Sequence, residues 1–277
     1  MSKTWLLLDC NYLAWRAFYS TGNLSHNEIP TGVTYGFLRD IIQFQETLGS
    51  NHLVFCFDCG PYLRERDYPD YKANRVEQRY ALSYEQKSLV RKMEQQFLLL
   101  RKERLFDLGF RNICYAPGYE ADDVIASICL NLPKKDDAII VGSDKDFYQL
   151  LGKRVILWDP NKKRSYNELS LSREYGVSPP QWIDVKAIAG CKSDGIVGIK
   201  GVGEVTASKF LTGKLKNTTK VFRSIVEGND VWNSNRHLVK LPYAGCPNFK
   251  LVSDSINRDA WRALCDELGI RSLRDLV

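Results

Sequence analysis

The chain lacks the usual marks of a membrane-bound, exported or zinc-built protein. No stretch of its 277 residues approaches the ~18 consecutive apolar positions that a membrane span requires. The opening MSKTWLLLDCNY has one short apolar run, closed by Asp9, where a secretory segment would run on without an acid. Cys56 and Cys59 form a lone CxxC with no second CxxC and no nearby histidine pair to complete a zinc site. They read as core or rim cysteines. The eight cysteines are scattered and many lie in apolar runs, which fits a reducing compartment and a cytoplasmic protein. Internal repeats and low-complexity tracts are absent. The composition, 44% apolar and 26% charged, leaves room for one core domain of roughly 170–200 residues and a smaller module.

What the chain does have is a repeated pairing of apolar run and acid. Asp9 follows TWLLL, Asp58 follows HLVFCF, and Asp144 follows AIIVGS. Each run predicts a buried strand, and the helical segments between them predict a parallel sheet, an α/β class. The carboxyl ends of parallel strands share one edge, where ligands bind. Glu120-Ala121-Asp122-Asp123 opens a helix after Pro117-Gly118, and Ser143-Asp144-Lys145-Asp146 follows a strand. Acids in a first turn also suit the helix dipole, and Ser and Asp also cap helices. Together, however, Asp9, Asp58, Glu120, Asp122, Asp123, Asp144 and Asp146 exceed what caps need. Like charges so gathered call for hard divalent cations, magnesium, manganese or calcium, and the acids are enough for two ions about 4 Å apart.

The net charge of +6 is unevenly spread. Arg64, Arg66, Lys72, Arg75 and Arg79 crowd a tyrosine-rich segment, residues 60–82, that shows no apolar stripe and reads as a mobile loop. Lys192, Lys200, Lys209, Lys214, Lys216 and Lys220 form a second basic set. Cations beside metal-holding acids suit a polyanion such as a nucleic acid. Gly201-Val202-Gly203 precedes a predicted helix and leaves unobstructed N–H groups for a phosphate, with Lys200 and Lys209 adding charge. Periodicity predicts helices over 11–20, 31–48, 83–108, 120–131, 146–151, 181–190 and 204–211, with Leu89, Met93, Phe97 and Leu100 as the inner stripe of the third. Strands are predicted at 4–9, 52–58, 112–116, 138–142 and 155–158. Residues 214–277 read as largely helical, ending in an amphipathic stretch from Asp259 to Leu276, and a domain boundary is expected near Ser178.

The segments LLLDCNYLAWRAF, GVTYGFLRD, FCFDCGPYLRERDYPDYKANR, GYEADDVIA, VGSDKDFYQLL and GCKSDGIVGIKGVGEVTASKFL, in that order, resemble the 5′-nuclease (flap endonuclease) superfamily. The likeness is greatest to bacterial and bacteriophage 5′–3′ exonucleases and covers residues 4 to about 212. It implies a PIN-like parallel-sheet catalytic domain over 1–178 with a helical arch at about 62–100. Residues 179–277 would be a helical DNA-binding region with a helix-three-turn-helix module at about 181–212. The implied activity is metal-dependent hydrolysis of DNA, or RNA–DNA primer strands, at 5′ flaps or free 5′ ends in replication or repair. The implied setting is the cytoplasm of a bacterial or phage-infected cell, with a monomer and a non-covalent polymerase partner.

By resemblance, Asp9, Asp58, Glu120 and Asp122 hold a first ion, and Asp123, Asp144, Asp146 and Asp194 a second. Lys72 and Arg75 match arch residues that steer the scissile phosphate, and Tyr71 sits where a flap base stacks. Thr31 and Gly32 lead into a helix that contacts the opposite strand, Arg64 and Arg66 belong to the DNA-facing arch, and the Gly198–Gly203 loop is similar to a duplex-binding hairpin that holds potassium. Two positions depart from the family pattern. Cys10 replaces a glycine, and Cys191 replaces the first acid of G-D-x-x-D, giving the second magnesium site a poorly suited sulfur. The alternative function is therefore a DNA-structure-binding protein with weak catalysis.

Overall fold

The computed structural model describes residues 2–60 and 62–277. In chain order, β1 (Thr4–Asp9) leads into α1 (Cys10–Thr21), a small hairpin of β2 (Ser25–His26) and β3 (Ile29–Pro30), then α2 (Gly32–Leu48) and β4 (His52–Cys56). The arch region follows: α3 (Tyr62–Asp67), α4 (Ala73–Tyr80) and α5 (Tyr84–Leu99), which continues through a π-turn into α6 (Leu105–Asp107). Next come β5 (Ile113–Cys114), α7 (Ala121–Leu130), β6 (Asp137–Val141), a 3₁₀ turn (Lys145–Leu150), β7 (Val155–Asp159), β8 (Arg164–Tyr166) and α8 (Glu168–Tyr175). The rest is α9 (Pro179–Ala189), a short ribbon of β9 (Gly190–Cys191) and β10 (Ile196–Val197), then α10 (Glu204–Leu211), α11 (Lys220–Glu227), α12 (Asn229–Val239) and α13 (Arg258–Glu267).

The main sheet has the order β5-β4-β1-β6-β7-β8. Its first five strands run parallel and β8 closes the edge antiparallel. β1 is central because Leu6, Leu7 and Leu8 are fully buried, which needs a layer on each face. Alternation sorts them. Trp5, Leu7, Val54 and Ile140 join one core with α7 and α9, while Leu6, Leu8, Phe55 and Val141 join another with α1 and α2.

Several expectations are corrected. Residues 62–80 hold two short helices instead of a loop, and α4 buries none of its residues, so no stripe announced it. The α5 stripe starts at Met93, because Leu89 is exposed. The edge strand β8, helix α8 and the 25–30 hairpin were not anticipated; each is short. The core shows no break at residue 178: Val177, Trp182, Val185 and Ile225 all join the cluster built on Leu7. The tail does not stand apart either. Trp261, Leu264 and Cys265 of α13 pack into the core that holds Leu6 and Leu8. Between α12 and α13 the chain has no helix or strand and is strapped down by side chains. Asn112 exchanges two hydrogen bonds with Val252 (2.8 and 2.9 Å), and Ser127 Oγ donates to the Pro247 carbonyl at 2.7 Å.

Candidate active site

The sheet brings the three strand-end acids to one edge. Leu8 lies level with Phe55 and Val141 on its two neighbours, so Asp9, Asp58 and Asp144 leave the sheet side by side. Each is oriented by a backbone N–H, Asp9 and Asp144 from the element that follows and Asp58 from the start of α7. Asp9 Oδ1 accepts from Tyr12 N–H (3.0 Å), Asp58 Oδ1 from Ala121 N–H (2.7 Å), and Asp144 Oδ1 from Asp146 N–H (2.8 Å). Gly142 lies against this group, since a Cβ there would stand 3.2 Å from the Phe147 ring and 3.8 Å from Asp9 Oδ2. Asp122 joins from the first turn of α7.

Asp9, Asp58 and Asp122 are half-buried among like charges, with Asp144 exposed beside them. Burial, then Asp58, pushes the Asp9 carboxyl up to about 7. Burial, then Asp9, Asp144 and Glu120, holds Asp122 well above the carboxylate range. Burial also raises Asp58. Such a set of oxygen donors, short of counter-charge, fits a hard divalent cation. Among the described residues no three of these side chains stand close enough together to form a ready-made ion cage.

Those internal cations come from the arch and from α9. The Lys72 ammonium contacts Glu120 Oε1 and lies 3.8 Å from Asp194 Oδ1. Arg75 Nη2 donates to Asp194 Oδ1 at 2.7 Å. Lys186, buried on α9, pairs with Asp146 at 2.9 Å and Glu204 at 3.6 Å. Burial works against its charge, yet Asp146 keeps its pKa above the ordinary lysine value. Asp146 itself is pushed up to about 7 by burial and then by Asp144, against the pull of Lys186. Glu204 also accepts from Lys145 at 2.7 Å, which ties the start of α10 to the rim. Lys186 escaped the sequence reading, although it lies four residues after Trp182 and hence on the inner face of its helix. Cys191 does adjoin Asp194, its Sγ donating to Oδ2 at 3.2 Å. Burial and Asp194 push that thiol up to about 11, so it stays protonated at neutral pH.

Other sequence-predicted residues lie elsewhere than expected. Asp123 is fully buried and already served: Arg64 Nη1 and Nη2 reach its two oxygens at 2.5 and 2.7 Å, and Tyr243 N–H donates to Oδ1 at 2.7 Å. It is the counter-ion of Arg64 and has no free oxygen edge for a cation. Arg64 is correspondingly buried, its Nε donating to the Leu238 carbonyl at 3.1 Å, and its charge is spent within the protein. Tyr71 is buried with its hydroxyl on Glu120 Oε2 (2.7 Å), so its ring is not an exposed stacking platform. Thr31 and Gly32 are buried at the α1–α2 junction. The first α2 amides, Val33 and Thr34, donate to Gln96 Oε1 (3.0 and 3.2 Å) and are spent within the protein. Arg66 is exposed and pairs with Asp67 at 2.8 Å. Lys200, Gly201, Gly203 and Lys209 are exposed, and no atom lies within 4 Å of a Cβ built at either glycine, so the turn is open to a large partner.

Comparison with known proteins gives the chain its kinship. A family model described as "5′-3′ exonuclease, N-terminal resolvase-like domain" matches residues 4–176. The 5′-3′ exonuclease of Bacillus subtilis is 35% identical over 216 residues, 74% of this chain and 69% of that protein. The thermostable DNA polymerase I of Thermus thermophilus is 34% identical over 78% of this chain, which spans only 25% of the polymerase's length. Among solved structures, T5 5′-exonuclease with bound divalent metal ions (zinc) superposes with a TM-score of 0.75 at 20% identity, covering 99% of this chain and 98% of that one. The catalytic core of Rad2 in complex with DNA substrate gives 0.59 at 17% identity, covering 100% and 92%. Fold and sequence agree, and the chain belongs to the 5′–3′ exonuclease family.

Proposed function

We propose that this protein is a divalent-metal-dependent 5′ nuclease that hydrolyses phosphodiesters of DNA, or of RNA–DNA primer strands, at 5′ flaps or free 5′ ends. The observation that carries the reading is the rim of acids, Asp9, Asp58, Asp122 and Asp144, gathered at the carboxyl edge of a parallel sheet, where burial and neighbouring carboxylates raise the pKa of Asp9 and Asp122. Asp9, Asp58, Glu120 and Asp122 would hold one ion, and Asp144, Asp146 and Asp194 a second, with magnesium or manganese suited to all-oxygen donors. Bound there, the ions would supply an activated water and charge stabilisation for the departing oxygen.

The remaining work falls to this chain's own groups. Lys72 and Arg75 would bind and orient the scissile phosphate, since both stand at the mouth of the rim on the arch. Lys186 would fix Asp146, and Glu204 would tie the rim to the duplex-holding turn. Exposed Lys200 and Lys209, with the Gly201–Gly203 turn, would grip duplex phosphates as part of a helix-three-turn-helix module over 181–212, with potassium at the Gly198–Gly203 carbonyls. Similarity to a stretch of DNA polymerase I supports a replication or repair setting and a polymerase partner for a monomeric nuclease.

The test is a 5′-labelled flap duplex incubated with magnesium or manganese. Short labelled products that vanish with EDTA are expected, and Asp144→Ala should abolish cutting while leaving duplex binding largely intact. Cutting indifferent to EDTA and to Asp144→Ala would refute the reading.

A further inference from the structure

The base of the arch is fastened to the rim by the two cations assigned above to phosphate. Lys72 has a φ of 55°, a left-handed conformation that few non-glycine residues adopt. Here its N–H donates to the Asp194 carbonyl at 2.8 Å, and its ammonium bridges Glu120 and Asp194. Asn74 Nδ2 donates to the Lys192 carbonyl at 3.1 Å, and Arg75 reaches both the Ser193 carbonyl (3.4 Å) and the Asp194 carboxylate (2.7 Å). Gly195 permits the approach, since a Cβ there would stand 2.4 Å from the Asp70 carbonyl. Residues 70–75 are thereby docked on the 192–195 turn.

Two competitions follow. A strand phosphate and the carboxylates of Glu120 and Asp194 seek the same N–H donors. A divalent ion and the Lys72 ammonium seek the same carboxylates. Beyond its two direct partners, the Lys72 charge also acts on Asp9, Asp58 and Asp122, lowering carboxyl pKa values that burial raises. The side chain is the rim's internal counter-ion.

We infer that Lys72, seconded by Arg75, is a latch that a divalent ion must displace, so that ion binding at the rim and strand binding by the arch assist one another. The inference rests on the nuclease reading and adds a coupling to it. Linkage makes that coupling reciprocal. An ion entering the rim frees two cations for the strand, and a strand that takes those cations opens the rim to the ion. The free protein would then hold its ions weakly until substrate arrives.

The test uses the full chain without DNA. Free manganese is followed by electron paramagnetic resonance during titration. Lys72→Met should bind the ion about tenfold tighter than wild type, within the usual span of coupling between sites. Lys192→Met, an exposed charge on the same turn, should change affinity less than about twofold, and so measures the through-space effect alone. Independently, Lys72 acetylation of the wild-type protein, read by mass spectrometry, should rise severalfold on saturation with manganese while Lys192 labelling stays constant. This arm needs no variant and decides the matter if Lys72→Met does not fold. Manganese affinity in Lys72→Met no greater than in Lys192→Met, or Lys72 labelling unmoved by manganese, would overturn the latch. Flap cutting retained alongside either result sinks the latch and keeps the nuclease. Failure of manganese both to bind and to support cutting sinks the nuclease reading with it.

Discussion

Asp122 and Asp123 are adjacent in the first turn of α7, yet the protein treats them in opposite ways. On one side of the turn, Asp123 receives a two-pronged Arg64 and a backbone N–H, all buried. On the other, Asp122 faces Asp9, Asp144 and Glu120, and its largest offset is the more distant charge of Lys72. The first arrangement is complete within the chain. The second carries excess negative charge that an external partner must balance. A buried ion pair and a binding site can therefore be built from the same residue type one position apart, and what separates them is whether counter-charge is supplied from inside.

The contrast can be broken deliberately. Arg64→Met should strand Asp123 without its partner and destabilise the fold by about 3–5 kcal/mol in urea unfolding. A loss below about 1 kcal/mol would mean the pair is not the structural element described. Asp122→Asn should act the other way. Thermal stability should hold or rise as repulsion is relieved, while flap cutting falls about 10³-fold, roughly 4 kcal/mol of barrier. Should Asp122→Asn unfold the protein while Arg64→Met leaves it intact, the assignments are reversed.

A pH series sharpens the same contrast. Asp9 and Asp146 have folded-state pKa values near 7, raised above the unfolded value of 3.8. The native state then binds protons more tightly than the unfolded chain. The ion-free protein should lose stability as pH climbs from about 4 through about 7. An added ion takes over from those protons, so the rise in melting temperature on adding magnesium should grow between pH 5 and pH 8. A rise that shrinks over that interval would contradict the assignment of these acids to the ion. The smallest effect concerns Cys191→Asp. It supplies an oxygen beside Asp194, so cutting at limiting magnesium should increase by up to about tenfold, or ~1.4 kcal/mol, with little change at saturation. Equal gains at both concentrations would point away from ion affinity.

Much of the fold could be read from the chain because its strands announce themselves. Three apolar runs closed by acids translate directly into β1, β4 and β6 and the edge where Asp9, Asp58 and Asp144 emerge. The rest depended on contacts between distant segments. Nothing local distinguishes Asp122 from Asp123; the difference lies with Arg64, which the sequence placed among surface cations. Tyr71 and Thr31 were read as exposed for the same reason, since only contacts with distant segments enclose them: Tyr71 packs with Ala187, Ile196, Leu238 and Val239, and Thr31 lies beside the α2 amides that Gln96 of α5 accepts from. α4 was missed because it buries no face, and β8 because it is three residues long. Lys186 was legible in principle, as a charge on the inner face of an apolar helix.

The docking of α13 beside β1 bears on how the polypeptide matures. The layer containing Leu6 and Leu8 cannot close until Trp261 and Leu264 have been synthesised, so a nascent chain emerging from the ribosome carries an uncovered greasy surface until those residues follow. Chains stalled at residue 250 should accordingly be far more sensitive to protease and chaperone capture than those extended past residue 275.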